Sequence, residues 1–186
     1  MPWQTLILTA LLLVELVYMV VKTWPRTPAR SRGGYLTTGL WGLCFFASMT
    51  AALMKLDYVG APISNIRFVA AIAMIGTGIA IRIWGLHYLG CYFAELIVIR
   101  EDHKLITGGP YRFLRHPLHA GLLLQILGFA LIASLRWVYL LGIVALVVAI
   151  PRELNEEQIL KNNFGQEYDD YRRRTFGLTN FFHRPG

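Results

Sequence analysis

PLHAGLLLQILGFALIASLRWVYLLGIVALVVAI, residues 117–150, holds one charged side chain, Arg136, in 34 positions. A helix needs roughly 20 apolar residues to cross a bilayer. The stretch therefore reads as two spans, about 117–135 and 137–151, turned back on themselves at Arg136. The second is short, and its helix is expected to run on past Pro151 into polar sequence. Strands cannot replace these helices, because an open strand would leave backbone N–H and C=O groups unpaired in hydrocarbon.

Working outward, three further apolar runs come first, at about 3–21, 36–54 and 68–86. The first is expected to be a retained span rather than a cleaved leader, since it has neither a basic start nor a small-residue cleavage site. The chain is thus expected to be an all-α, polytopic integral membrane protein. It would form a single membrane domain over 1–186 with about five transmembrane helices, and the loop 87–116 and tail 152–186 would carry any chemistry. Trp3, Trp24, Trp41, Trp84 and Trp137 lie near span ends, where an aromatic belt belongs.

Basic residues set the orientation. Lys22, Arg26, Arg30 and Arg32 follow the first span, Arg100, Lys104, Arg112 and Arg115 follow the third, and Arg152, Lys161, Arg172, Arg173, Arg174 and Arg184 follow the fifth. Only Lys55, Arg67 and Arg136 lie on the other side. The positive-inside rule then places the N-terminus outside and the C-terminus in the cytoplasm. The formal net charge is +7 and 55% of residues are hydrophobic. With the charge confined between apolar runs, lipid headgroups are the expected phosphates, and nucleic acid is not. Cys44 and Cys91 form no paired framework and are expected to be free thiols.

Two polar segments can carry chemistry. Gly108-Gly109-Pro110 signals a turn, and His116-Pro117 opens the fourth span with proline where a missing N–H costs nothing. The free N–H groups of that helix start suit an electron-rich ligand. Equally, Arg112, Arg115 and His116 suit anchorage at headgroups. In the tail, Arg152 and Glu156 share one helix face, and Glu153 and Glu157 a neighbouring one. Such a face is either a solvated stalk or a surface offering a cation and an anion to a zwitterion.

The block Gly-Pro-Tyr-Arg-x-x-Arg-His-Pro-x-x-x-Gly, from Gly109 to Gly121, is followed after the hairpin by Glu156-Glu157 and by Phe164-Gly165-x-Glu167-Tyr168-x-x-Tyr171. The combination resembles the isoprenylcysteine carboxyl methyltransferases, within a wider group that includes phospholipid N-methyltransferases. It covers about residues 95–182; the first three spans agree only in general character. The resemblance implies S-adenosyl-L-methionine as methyl donor, S-adenosyl-L-homocysteine as product, and a cytoplasmic cofactor site. By position, His103, Lys104, Leu105, Ile106, Tyr111, His116, Pro117, Leu118, His119 and Glu156 would hold the cofactor, and Arg152 the acceptor's carboxylate. The acceptor would be a prenylated C-terminal cysteine or a similar lipophilic carboxylate, free or on a lipidated protein. Members of that family commonly carry Tyr where this chain has His119; both rings donate a hydrogen bond.

Other features have plainer readings. Glu15, inside the first span, is expected to find a partner. His116 and His119, with Glu156, have metal-ligand spacing, but no second close His pair exists and no metal is expected. Gly39, Gly42, Ala47, Ala51, Gly76 and Gly78 read as sites of close helix packing. Thr179 to His183 rests on the membrane or covers the site. A scaffold or transporter is the non-enzymatic alternative, although the chain lacks the repeats and broken helices of transporters.

Overall fold

The computed structural model describes residues 3–23, 35–56, 64–90 and 105–181. Six α-helices account for most of them: α1 (Trp3–Thr23), α2 (Tyr35–Met54), α3 (Asn65–Leu89), α4 (Pro117–Ala133), α5 (Arg136–Phe164) and α6 (Gln166–Arg174). Short 3-10 turns occupy Gly109–Arg112 and Leu178–Phe181. Among the described residues there is no strand, only an isolated parallel bridge between Leu114 and Phe176. Trp24, Cys91, His103 and Lys104 lie outside the described residues.

Four helices are long and apolar enough to cross a membrane, namely α1, α2, α3 and α5, and α4 is apolar over 17 residues. The chain is an all-helical polytopic membrane protein. The short span is α4, not the following one as expected from the sequence. At 1.5 Å per residue α4 is about 26 Å long, near the lower limit for a span. It stops at Ser134, a non-glycine residue at φ 57°, whose N–H reaches Ala130 O at 2.9 Å. Arg67 of α3 donates to the Ser134 hydroxyl at 3.0 Å and ties down the hairpin. Beyond it α5 continues without a break past Pro151 to Phe164. Proline removes one backbone bond there, but the helix on either side is long enough to carry it through.

Small residues decide how the helices meet, because lipid-facing helices gain little from burying apolar area against one another. The closest crossing joins α3 to α4. A Cβ built on Gly78 would lie 2.5 Å from the carbonyl oxygen of Gly121, and one on Gly121 would lie 2.6 Å from that of Gly78. Gly128 is equally tight against Ala71 and Ile75. Of the glycines expected to pack, only Gly78 does; Gly39, Gly42 and Gly76 face open space. Composition marks candidates, but the rotation of each helix selects which of them face a neighbour.

Around this crossing, Leu8, Ala52, Phe68, Ile75, Phe129 and Ile132 form the main apolar core. A polar cluster is embedded beside it. Glu15 pairs with Arg82 Nε at 3.0 Å and accepts from Gln125 Nε2 at 3.2 Å, joining α1, α3 and α4. The partner expected for Glu15 is thus Arg82. Replacing Gly121 by Val should separate α3 from α4 at a cost of about 1–3 kcal/mol. The expected readout is a lower aggregation temperature in detergent, with Gly76→Ala unchanged as the control.

Candidate functional site

The polar half of α5 organises the site. Arg152, Glu153 and Glu157 are buried there, at 6%, 1% and 5% exposure, while the Glu156 side chain is 23% exposed and open to a ligand. Helical spacing puts Arg152 beside Glu156, with Nε 3.1 Å from Oε1. Buried charges need partners close by, and these come from three other parts of the chain.

The first is the start of α4. Pro117 at the first helical position leaves the preceding His116 in a non-helical conformation, at φ −126°, beside α5. His116 Nδ1 lies 3.4 Å from Glu156 Oε2, and its Nε2 lies 3.4 Å from Glu157 Oε1. One turn on, His119 Nδ1 is 3.3 Å from Glu153 Oε1, and its Nε2 accepts from Arg152 Nε at 3.3 Å. The two rings lie parallel, with centroids 5.5 Å apart. His116, His119 and Glu153 also offer ligand atoms within 4.8 Å of one another. The acid that meets the histidine pair in this grouping is Glu153, not the Glu156 weighed from the sequence.

The second is the loop and tail. Arg115 is buried, with Nε donating to Glu157 Oε1 at 2.8 Å and Nη1 to Thr175 O at 2.8 Å. Its Nη2 donates to Thr179 Oγ1 at 2.8 Å and to Asn180 Oδ1. Thr179 in turn donates to Glu157 at 2.6 Å. Backbone bonds Arg115 N to Phe176 O and Phe176 N to Phe113 O close the same seam. Headgroup anchorage therefore fails for Arg115, which stitches the tail to the loop; Arg112 is exposed, its guanidinium over the Phe113 ring. Thr179 is fully buried in this seam, which answers where that part of the tail goes.

The third is α2, which the sequence reading left out. Arg152 Nη1 donates to Thr38 Oγ1 at 2.5 Å and reaches Thr37 Oγ1 at 3.5 Å. Trp41 is 5% exposed and packs its ring 4.8 Å from that of His119. It does not join the aromatic belt, whereas Trp3, Trp84 and Trp137 are well exposed. The clue for α2 was a Thr-Thr-x-x-Trp face, too common a pattern to single out. Glu153 and Arg115 had clearer signals, an acid four residues before Glu157 and an arginine next to His116.

Of the expected cofactor residues, the structure gathers His116, His119 and Glu156, with Arg152 among them. Tyr111 is buried beside this group, its carbonyl accepting from the Tyr171 hydroxyl at 2.8 Å. Gly109, at φ 58°, lies against the Tyr88 ring and turns the chain into this position. Leu105 and Ile106 are half-buried. Pro117 and Leu118 pack on Gly85 of α3, on the wall of the bundle.

Electrostatics follow from this crowding. Burial pushes the His116 imidazole down, but hydrogen bonds to Glu156 and Glu157 and the nearby acids outweigh it and raise it to about 9. Burial pushes the carboxyls of Glu156 and Glu157 up; His116 hydrogen bonds, with Arg152 for Glu156 and Thr179 and Arg115 for Glu157, hold each at about 2. The stabilisation from His116 is complete below its unfolded value of 6.5 and is lost as pH rises through about 9. That from the two acids is complete above 4.5 and is lost as pH falls toward 2. The unfolding midpoint of the ligand-free protein should therefore be highest between pH 4.5 and 6.5 and fall toward pH 9. His116→Asn should flatten the alkaline decline and also weaken the acid-side dependence, since His116 is a partner of both carboxyls. Arg115→Ala, which removes the closest cation of the buried Glu157, should cost on the order of 3 kcal/mol and speed tryptic cleavage at Arg172–Arg174.

Comparison with known proteins gives the family. A sequence model described as phospholipid methyltransferase matches residues 66–167, more than half the chain. The chain is 32% identical to protein-S-isoprenylcysteine O-methyltransferase B of Arabidopsis thaliana over 110 residues, 55% of this chain and 54% of that protein. A probable protein-S-isoprenylcysteine O-methyltransferase of Oryza sativa subsp. indica is 31% identical over 110 residues, 55% of this chain and 56% of its own length. The nickel-cobalt-cadmium resistance protein NccN of Alcaligenes xylosoxydans xylosoxydans is 38% identical over 79 residues, 41% of this chain and 36% of its own. The chain spans about half the length, or less, of the curated relatives it matches. With the matched region running from α3 through the hairpin into α6, the chain belongs to the phospholipid methyltransferase family of membrane proteins, alongside the isoprenylcysteine O-methyltransferases.

Proposed function

We propose that the protein transfers a methyl group from S-adenosylmethionine to the α-carboxylate of a prenylated cysteine or a similar lipophilic carboxylate, giving a methyl ester. The observation that carries this reading is the pairing, on one face of α5, of the buried cation Arg152 with the ligand-accessible anion Glu156.

The donor fits the residues present. The site gathers three carboxylates, and Glu153, almost fully buried, has no hydrogen-bond partner for its Oε2 among the described residues. A ligand carrying an ammonium and a sulfonium suits that surplus of buried acceptors. Glu156 would hold the ammonium, with His116 steadying the carboxylate from its other side. Tyr111, Leu105, Ile106 and His119 would line the remainder; His103 and Lys104, outside the described residues, are assigned to the donor by the resemblance alone. When bound, the donor would supply its sulfonium methyl to a carboxylate oxygen, the C–S bond breaking as the C–O bond forms and S-adenosylhomocysteine leaving.

Arg152 would orient the acceptor. Its guanidinium is forked and always charged, which matches a carboxylate better than an ammonium point charge does. A terminal carboxylate, with pKa about 3.5, is already ionised near neutrality, so the chain need supply no general base. Charge is cancelled as the methyl moves, and exclusion of water by the buried walls favours that change. Alignment by a fixed guanidinium adds the larger part, since held reactants can gain several kcal/mol. The basic segments put this site on the cytoplasmic face, with the N-terminus outside. An acceptor tail would then lie among the spans while the donor arrives from the aqueous side.

A phospholipid amine is the second reading, favoured by the family's description. An amine must lose a proton before it attacks, and both ring nitrogens of the nearby His119 are already engaged, by Glu153 and by Arg152. Arg152, buried beside His119, would repel an ammonium head and weighs for the carboxylate. Tritiated methyl transfer to an N-acetyl-S-prenylcysteine tests the choice: the label should appear as base-labile methyl ester. Arg152→Ala should lower kcat/KM at least 100-fold while S-adenosylhomocysteine affinity, measured calorimetrically, changes less than threefold. Glu156→Gln should weaken that affinity at least tenfold. Equal losses of affinity in both variants would contradict the separate roles.

A further inference from the structure

Trp41 is the buried group that the reading above leaves unused. Its indole N–H has no hydrogen-bond partner among the described residues although the side chain is 5% exposed. A buried donor left unpaired is costly and uncommon, and an indole can only donate. Its surroundings define the ligand it can serve. The Trp41 ring lies 4.8 Å from the His119 ring, and His119 Nε2 lies 3.3 Å from Arg152 Nε. Thr38, one helical turn before Trp41 on α2, accepts from Arg152 Nη1 at 2.5 Å. Two donors of α2 and α5, one neutral and one cationic, thus lie around one spot. A group that accepts from the unpartnered indole N–H beside the Arg152 guanidinium is favoured to carry negative charge.

We propose that α2 forms the acceptor-recognition wall of the site, with Trp41 donating its indole N–H to the acceptor's carboxylate and Thr38 acting as a positioning residue for Arg152. This rests on the carboxylate reading given above. Arg152 is pulled two ways, by Glu156 at 3.1 Å along α5 and by Thr38 across to α2. Without the hydroxyl its guanidinium is free to turn toward Glu156, away from an acceptor and onto the residue assigned to the donor. The acceptor is preferred to the donor's own carboxylate as Trp41's partner because Thr38, one turn away on the same α2, bonds to Arg152, the cation assigned to the acceptor.

The experiment uses the full chain in detergent with an N-acetyl-S-prenylcysteine as acceptor. Trp41→Phe keeps an aromatic ring but removes the N–H; the acceptor KM should rise about tenfold, the size expected for one hydrogen bond to a charged group. In the same variant kcat and S-adenosylhomocysteine affinity should stay within twofold. Thr38→Val should lower acceptor kcat/KM about tenfold, and Thr38→Ser should restore it to within twofold, since only the hydroxyl is at issue. The Thr38 pair leaves the indole untouched and decides the matter if Trp41→Phe fails to fold. An unchanged acceptor KM in Trp41→Phe overturns the proposal. So does a loss confined to S-adenosylhomocysteine affinity, which would give the indole to the donor, and so does equal behaviour of Thr38→Val and Thr38→Ser. Failure of the underlying carboxylate reading is seen separately, as a wild-type chain that binds S-adenosylhomocysteine and forms no ester.

Discussion

The first turns of α5 beyond Pro151 set three glutamates, Glu153, Glu156 and Glu157, next to Arg152 at the edge of the apolar bundle. Two of those acids are buried, and a buried carboxylate left without partners is among the most expensive features a fold can contain. The local architecture answers this constraint. His116 sits between Glu156 and Glu157, His119 reaches Glu153, and Arg115 with Thr179 closes on Glu157. Loop, helix start and tail are brought together by one set of charges.

The same economy links fold to chemistry. The α3–α4 crossing through Gly78 and Gly121 sets where α4 begins, and with it where His116 and His119 stand. Pro117 starts the helix at that point, and Gly109 turns the preceding loop against Tyr88. The ion pair of Glu15 with Arg82 holds α1 to this crossing by a different route, inside the apolar layer, where a charge without a partner is not tolerated. Packing in the spans and charge pairing beyond them are thus two halves of one positioning device. Glycine contacts locate the helices, and ion pairs fasten the polar segments onto their ends.

The polar ends are also where ligand chemistry belongs. Glu153 Oε2 and the Trp41 N–H, an acceptor and a donor, are both buried and both unpartnered among the described residues. They flank the Arg152–His119 contact from opposite helices. Opposed polar groups left unpartnered beside the paired Arg152 and His119 fit the zwitterionic donor and anionic acceptor proposed above. They support the proposed methyl transfer to a carboxylate, a reaction that needs no general base.

Helical spans, the hairpin at Arg136 and the run of α5 past Pro151 were legible in the sequence, because hydrocarbon admits no alternative to a helix for long apolar runs. The motif blocks around His116 and Glu156 were legible for a similar reason: each is local, and spacing on a helix fixes which side chains share a face. Partnerships between helices were not. Whether Arg115 points to lipid or inward, whether Trp41 joins the belt or faces His119, and whether Gly76 or Gly78 touches a neighbour all depend on the rotation of each helix about its axis. In a bilayer, apolar patterning constrains that rotation weakly, since the solvent is as apolar as the core. It is the few close contacts and buried charges of the tertiary structure that decided it.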